Sequence, residues 1–147
     1  MGRSRTGLGL FATRRIEKGD TIVTYRGRRI RTADALVRER KTGAKYMFAL
    51  NERWTIDGSS RRNLARYVNH ACRPNAEAVT RKGRLVYAAR RVIHPGEEIT
   101  LDYGREYFDL FIRDKGCRCA ACLTRQHTEK RTTRGGAKGR RKKPRKG

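Results

Sequence analysis

The residues able to do chemistry fall into three clusters. Cys117, Cys119 and Cys122 lie close together and Cys72 stands far upstream; these are all the cysteines of the chain. A tight three-thiol knuckle plus one distant thiolate is a donor set that zinc takes in a tetrahedron. Buried or free thiols, or His127 replacing one ligand, are the alternatives. Near the N-terminus, the glycines of Gly7-Leu8-Gly9 allow backbone to approach a ligand where any Cβ would clash, although such a pair also makes a plain turn. The third cluster is Asn69-His-Ala-Cys-Arg-Pro-Asn75. The Asn69 amide donates and accepts, which suits an amino-acid head group, and a histidine such as His70 invites a general-base reading. Paired carboxylates, a nucleophilic triad and a phosphate-binding P-loop are missing from the sequence, so hydrolysis and phosphoryl transfer lack the residues to perform them.

Three segments taken together narrow the field. Gly7-Leu-Gly9, Arg66-Tyr-Val-Asn-His-Ala-Cys-Arg-Pro-Asn75 and Gly96-Glu-Glu-Ile-Thr-Leu-Asp-Tyr103 resemble, in order and spacing, the signature segments of SET-domain protein-lysine methyltransferases. The resemblance covers about residues 5 to 123. It implies transfer of methyl groups from S-adenosylmethionine to a lysine of a protein substrate: a histone, a histone-like protein or another basic protein. Gly7, Leu8 and Gly9 match the loop along the methionine part of the donor. Asn69 matches the head-group ligand, and His70 a position that meets adenine through its backbone, which removes the need for a catalytic imidazole. Tyr46, Arg66 and Tyr107 match positions lining the donor pocket, though aromatics at such places also simply fill core.

Tyr103 matches the catalytic tyrosine and Tyr25 a second tyrosine of the lysine channel. Free lysine, with a pKa of about 10.4, is almost wholly protonated at neutral pH, so the channel must disfavour the cation by excluding water beside a positive sulfur. The remaining work is alignment of nitrogen, methyl and sulfur, with a neutral tyrosine hydroxyl at the channel base. Two residues before that tyrosine the family usually has Phe or Tyr, and here stands Leu101. Leucine leaves more room and no hydroxyl, so products beyond monomethyl-lysine are expected. Family members with a post-SET segment close the site with zinc held by cysteines equivalent to Cys72, Cys117, Cys119 and Cys122. Many of them place four residues between the last two, where this chain has two.

The elements that must position these residues read as short strands with little helix. Thr21–Tyr25, Tyr46–Leu50, Trp54–Asp57, Leu85–Ala89 and Ile99–Tyr103 are β-branched or aromatic runs bounded by turn formers. Thr32–Arg40 and part of Arg62–Val68 are expected to be helical, and the aromatic segment Tyr107–Ile112 leads into the cysteines. The fold class expected is mostly β: several small sheets, with the knot-like core that the resemblance implies, followed by a disordered basic tail. Residues 5–109 form the SET domain in this division, 110–124 the zinc-binding post-SET segment and 125–147 the tail. Substrate choice is expected in the insert between Arg31 and Asp57.

Charge adds a second theme. The net charge is +24 over 147 residues. From Lys130 to Gly147 there are ten Lys or Arg and no acid, a stretch that cannot bury enough surface to offset its ordering entropy. Such a tail favours DNA or nucleoprotein, serves as an import signal or offers lysines for automethylation. A SET scaffold that has lost catalysis and binds nucleic acid or chromatin is the competing reading. A basic domain also suits a basic substrate poorly, unless Glu52, Asp57, Glu97, Glu98, Glu106 and Asp109 gather at the groove. No signal-peptide region or membrane span stands out, so the chain is expected inside the cell, in cytoplasm or nucleoid, or in nucleus or chromatin.

Overall fold

The computed structural model describes residues 1–43 and 45–135. The elements run β1 (Gly2–Ser4), β2 (Gly7–Gly9), β3 (Thr21–Thr24), β4 (Arg28–Arg31), α1 (Thr32–Thr42), β5 (Met47–Ala49) and β6 (Trp54–Asp57). A 3-10 turn (Leu64–Tyr67) precedes β7 (Asn69–His70), β8 (Ala76–Arg81), β9 (Arg84–Ala89), β10 (Thr100–Leu101), α2 (Arg105–Phe111) and α3 (Ala120–Gly135). The strands make four small sheets: β1-β2, β10-β7, β3-β9-β8 and β4-β6-β5. This is the architecture of short strands and few helices expected from the sequence.

Alternation explains which faces are buried. β9 carries Leu85, Val86, Tyr87, Ala88 and Ala89 with both faces covered, and it is the central strand of its sheet. Ile93 and Ile99 are 0% and 2% exposed, and each such burial stabilises by about 1.5–3 kcal/mol. Ile99 and Leu101 point inward on either side of Thr100, so the short strand that leads to the candidate tyrosine two residues on is anchored by core on one face.

The decisive pairing is parallel: Thr100 of β10 lies opposite Asn69 of β7, and Leu101 opposite His70. Asn75, 4% exposed, clips the same two segments. Its Nδ2 donates to the Glu98 carbonyl at 2.8 Å and its Oδ1 accepts from the Thr100 N–H at 2.9 Å. The Ala71 N–H donates to the Leu101 carbonyl at 2.8 Å. Buried backbone groups must be paired, so these bonds fix the register that sequence spacing leaves open.

Two expectations need correction. Gly7–Gly9 is not a free loop but the second strand of a hairpin with Gly2–Ser4; the glycines lie flat against the partner strand, which their composition disguised. The tail was expected to be disordered from residue 125, yet α3 runs as helix through Gly135. Ala120, Ala121, Leu123, Gln126 and Glu129 are strong helix formers, enough to carry the helix into the basic stretch. Residues 136–147, the rest of that expectation, lie outside the described residues.

Candidate active site

A cavity of about 530 Å³ opens between the β1-β2 hairpin, the β7-β10 pair and the segment from α2 to Cys119. Its lining includes Leu8, Tyr46, Arg66, Asn69, His70 and Tyr107, with Tyr103 at its base and Cys117 and Cys119 at its far wall. Of the donor-pocket residues expected from sequence, Gly7 and Gly9 are the two outside this lining. Gly9 instead permits close approach of strands: a Cβ there would stand 2.6 Å from Glu98 Oε1.

Asn69 organises the near wall. Its Nδ2 donates to Ser4 Oγ at 3.0 Å, the Leu8 carbonyl at 3.0 Å and Glu98 Oε1 at 2.7 Å. The amide oxygen takes none of these bonds and is left for a ligand's N–H. Arg66 lays its guanidinium 4.1 Å over the Tyr46 ring and donates to the Ser59 carbonyl. Its Nε is buried without a partner among the described residues. A buried donor left unpaired costs roughly 1–3 kcal/mol, so an acceptor reaching the Arg66 side of the cavity, across from Asn69, would find a partner there.

Tyr46 sits at φ +69°, a left-handed conformation a bulky residue rarely adopts. Two bonds to its carbonyl hold it there, from Tyr25 Oη at 2.7 Å and from the Gly58 N–H at 2.9 Å. Gly58 is required beneath Tyr25, because any Cβ would overlap the phenol ring. Tyr25 is 5% exposed and packs on Phe48 and Tyr87 with ring centres 5.5 and 5.9 Å away. Tyr103 Oη donates to the Val68 carbonyl at 2.6 Å. Burial pushes the Tyr25, Tyr87 and Tyr103 phenols well above their ordinary range, so all three stay neutral donors at physiological pH.

His70 joins this wall to the cysteines. Its Nδ1 accepts from the Tyr103 N–H at 3.3 Å, so the proton belongs on Nε2, which lies 3.5 Å from Cys72 Sγ. Burial pushes the imidazole down, against the pull of Asp102, so it is neutral at physiological pH. A buried imidazole with both nitrogens engaged is a brace, and no free nitrogen remains for proton abstraction.

Cys72, Cys117, Cys119 and Cys122 bring their sulfurs within 4.8 Å of one another. Cys72 Sγ lies 3.7 Å from Cys117 Sγ and 3.5 Å from Cys122 Sγ. A tetrahedron with Zn–S bonds of about 2.3 Å requires sulfurs about 3.8 Å apart, and the two Cys72 distances are close to that spacing. Burial raises the Cys119 thiol, yet the N–H groups of Cys72 and Cys122 outweigh it and hold the thiol at about 7. The two-residue gap between Cys119 and Cys122 is absorbed by the first turn of α3, which carries Cys122 back toward Cys72.

Residues 7–104 match the SET domain family model. The chain belongs to the SET-domain family. It is 42% identical over 105 residues to histone-lysine N-methyltransferase trr of Drosophila melanogaster, covering 66% of this chain and 4% of that one. It is 41% identical over 111 residues to histone-lysine N-methyltransferase set-2 of Caenorhabditis elegans, covering 69% and 7%. Histone-lysine N-methyltransferase 2D of Homo sapiens is 37% identical over 118 residues, covering 74% and 2%. The chain thus spans a small part of the curated relatives it matches. A solved structure of a humanised mutant of Chaetomium thermophilum Polycomb Repressive Complex 2, bound to the inhibitor GSK126, superposes with a TM-score of 0.62 at 32% identity, over 70% of this chain and 14% of that one.

Within this SET domain, sequence reading overlooked Ser4, Asn63 and the structural part of Glu98. Asn63, 1% exposed, ties the Arg26 N–H to the Gly58 carbonyl, holding the ends of the Tyr25 cradle. Asparagine among turn formers gives no signal of burial, so no pattern could have found it. The pair Glu97-Glu98 did lie inside a quoted segment. Glu97 faces Arg91 at 2.7 Å, whereas Glu98 reaches Asn69.

Proposed function

We propose that this SET domain is an S-adenosylmethionine-dependent protein-lysine N-methyltransferase whose active site is completed by zinc on Cys72, Cys117, Cys119 and Cys122. The observation that carries the reading is the parallel pairing of β7 and β10, which brings Asn69, His70 and Tyr103 to one cavity. A cavity of about 530 Å³ falls in the range of small-molecule sites. The orphaned Arg66 Nε and the open Asn69 oxygen await polar partners within its wall. When bound, S-adenosylmethionine supplies an electrophilic methyl on a positive sulfur.

The chain's own residues supply position and exclusion. Leu8, Asn69 and His70 line the donor's cavity, with Gly7 and Gly9 keeping the hairpin beside it flat; Tyr46, Arg66 and Tyr107 form its opposite wall. Tyr103 borders the donor cavity and Tyr25 the neighbouring cleft, their hydroxyls donating to the Val68 and Tyr46 carbonyls; neutral and shielded from water, in this reading they orient a lysine nitrogen through their hydroxyl oxygens without trapping its proton. The amine must enter uncharged, and the tyrosine-lined, dry surroundings favour that form. Cys72, Cys117, Cys119 and Cys122 would hold zinc, which would neutralise the converging thiolates and tie the Cys117–Cys122 segment to Cys72 beside the cavity. Leu101, 4% exposed and packed with Tyr103 and Tyr87, leaves room for products beyond monomethyl-lysine.

The acceptor is a protein lysine, with chromatin or nucleoid as the setting, and the basic run 130–147 tethers the enzyme to DNA or nucleoprotein there. Isothermal titration of zinc-loaded protein with S-adenosylmethionine, followed by labelled methyl transfer to histones, ribosomal proteins and the chain itself, tests the reading. Tyr103→Phe is expected to retain donor binding and lose at least a hundredfold in turnover, about 2.7 kcal/mol of alignment. Folded, metal-loaded protein that fails to bind the donor would instead support the catalytically inactive, nucleic-acid-binding scaffold.

A further inference from the structure

A second cavity, of about 450 Å³, lies on the other side of Tyr25 from the donor site. Its floor is Leu50, Ile56 and Leu85, and its rim carries Arg26, Arg29 and Arg84. It forms the junction between the sheets β3-β9-β8 and β4-β6-β5. Tyr25 links the two cavities: its ring forms a wall of this cleft, and its hydroxyl reaches the carbonyl of Tyr46, a wall of the donor cavity.

The rim charges are uncompensated. Arg26, Arg29 and Arg84 are exposed, and none has a carboxylate partner among the described residues. Arg29 and Arg31 lean instead toward the Trp54 ring, at 5.9 and 4.4 Å from its centre. Three of the acids that might have gathered here are paired elsewhere. Asp57 meets Arg38, Glu97 meets Arg91, and Asp109 meets both Arg105 and Arg113. Three guanidiniums over an apolar floor create a site where a carboxylate is attracted, because a low-dielectric wall strengthens the field of the rim.

We propose that this cleft docks an acidic segment of the acceptor protein next to the lysine that is methylated. The proposal rests on the methyltransferase reading, since an acceptor whose lysine reaches Tyr25 and Tyr103 must lie across the neighbouring surface. Its chain then meets Arg26, Arg29 and Arg84 as it leaves the channel, so Asp or Glu flanking the lysine, beside an apolar residue for Leu50 and Ile56, fits both charge and floor. A lysine embedded in other basic residues meets like charge there, which raises its energy and slows encounter.

The test uses the full zinc-loaded chain and a positional-scanning library of lysine-centred peptides, read by labelled methyl incorporation. Asp or Glu at flanking positions is expected to exceed Lys or Arg by roughly tenfold, a difference typical of charge complementarity, and Arg29→Glu with Arg84→Glu is expected to reverse the preference. Equal incorporation, a preference for basic flanks, or an unchanged preference in the double variant overturns the proposal. A binding measurement stands apart from turnover: fluorescence anisotropy of a glutamate-flanked lysine peptide, a lysine-rich peptide and a DNA duplex. Loss of the glutamate peptide's binding in the double variant, with S-adenosylmethionine binding intact, supports the docking site. Duplex binding that the same substitutions abolish, with no peptide bound, assigns the cleft to nucleic acid and overturns it. Failure to bind S-adenosylmethionine marks failure of the methyltransferase reading, and the anisotropy result still decides what the cleft holds.

Discussion

The two walls of the donor cavity are held together by different physics. On one side, β7 and β10 lie parallel, Asn75, five residues past β7, bonds the β10 segment at Glu98 and Thr100, and Ile99, Leu101 and Val68 are buried at 2%, 4% and 2% exposure. On the other, the segment from α2 through Cys122 buries little. α2 has no buried residue, and Leu110 and Phe111 are 75% and 40% exposed. The first wall is a hydrophobic core with satisfied hydrogen bonds. The second is short, poor in core and close to the sulfur cluster, so on the proposed zinc reading its order would come from the cation. On the same reading, the residues assigned to catalysis lie on a self-supporting scaffold, and closure of the site would be delegated to a metal that can be gained or lost.

The strongest way to break this contrast is to remove the metal. Chelation is expected to abolish methyl transfer and remove hydrogen-exchange protection from residues 105–123, leaving β8 and β9 protected as before. Loss of protection throughout the chain would show that the core leans on zinc too. Structural zinc sites contribute as much as about 10–16 kcal/mol to the small domains that need them, so the effect on the second wall is large.

Alkaline titration stresses the buried tyrosines rather than the sulfur cluster. The Tyr25, Tyr87 and Tyr103 phenols are raised by burial. A group whose folded pKa exceeds its unfolded value of about 10 contributes stability fully below that pH and loses it as pH rises toward the folded value. Three such phenols give a loss of roughly 4 kcal/mol per pH unit above 10. Denaturant midpoints measured between pH 9 and 11 check this; a flat profile would mean that the tyrosines are open to water.

His70 is the joint between the walls. His70→Ala, removing the N–H that faces Cys72 Sγ, is expected to weaken zinc binding by about tenfold, the lower end for outer-shell partners of a metal ligand. Competition with a chromophoric chelator reads that loss directly. Unchanged affinity would leave the imidazole as packing for Tyr103 and Phe108 only.

Leu101→Phe sharpens the picture within the first wall. It narrows the space beside Tyr103 and is expected to shift the product of exhaustive reaction toward monomethyl-lysine, with a severalfold change in rate at most. Intact-mass spectrometry of a fully reacted peptide decides it, and a wild-type product carrying a single methyl would refute the role given to Leu101.

Much of this was legible in the sequence. The strands around Val23, Ile56, Val86 and Leu101, the helix after Arg31 and the sulfur set could be read from alternation, turn residues and thiol spacing, all local signals. The family followed from three segments whose order matters more than any one of them. Other parts could not be read. The hairpin of Gly2–Ser4 with Gly7–Gly9 hides because glycine has no side-chain pattern to alternate, and α3 outruns its charge because helix formers such as Leu123, Gln126 and Glu129 extend it. Asn63 and Asn75 look like loop residues until their amides are seen to replace missing backbone partners.

What the sequence alone determined is the chemistry available: the phenols, an amide, four thiols and a surplus of arginine. Only the tertiary structure decided which of these meet. The β7-β10 register, set by burial of Ile99 and Leu101 and by the obligation to pair their backbone groups, puts Asn69 beside Glu98 and Tyr103 against Val68. The same packing turns Asp57, Glu97 and Asp109 toward their own arginines and leaves Arg26, Arg29 and Arg84 facing the cleft. Charge can be counted along a chain, but its neighbours are chosen by the fold, because Coulomb energy depends on distance and solvent exposure, and both are properties of the packed chain.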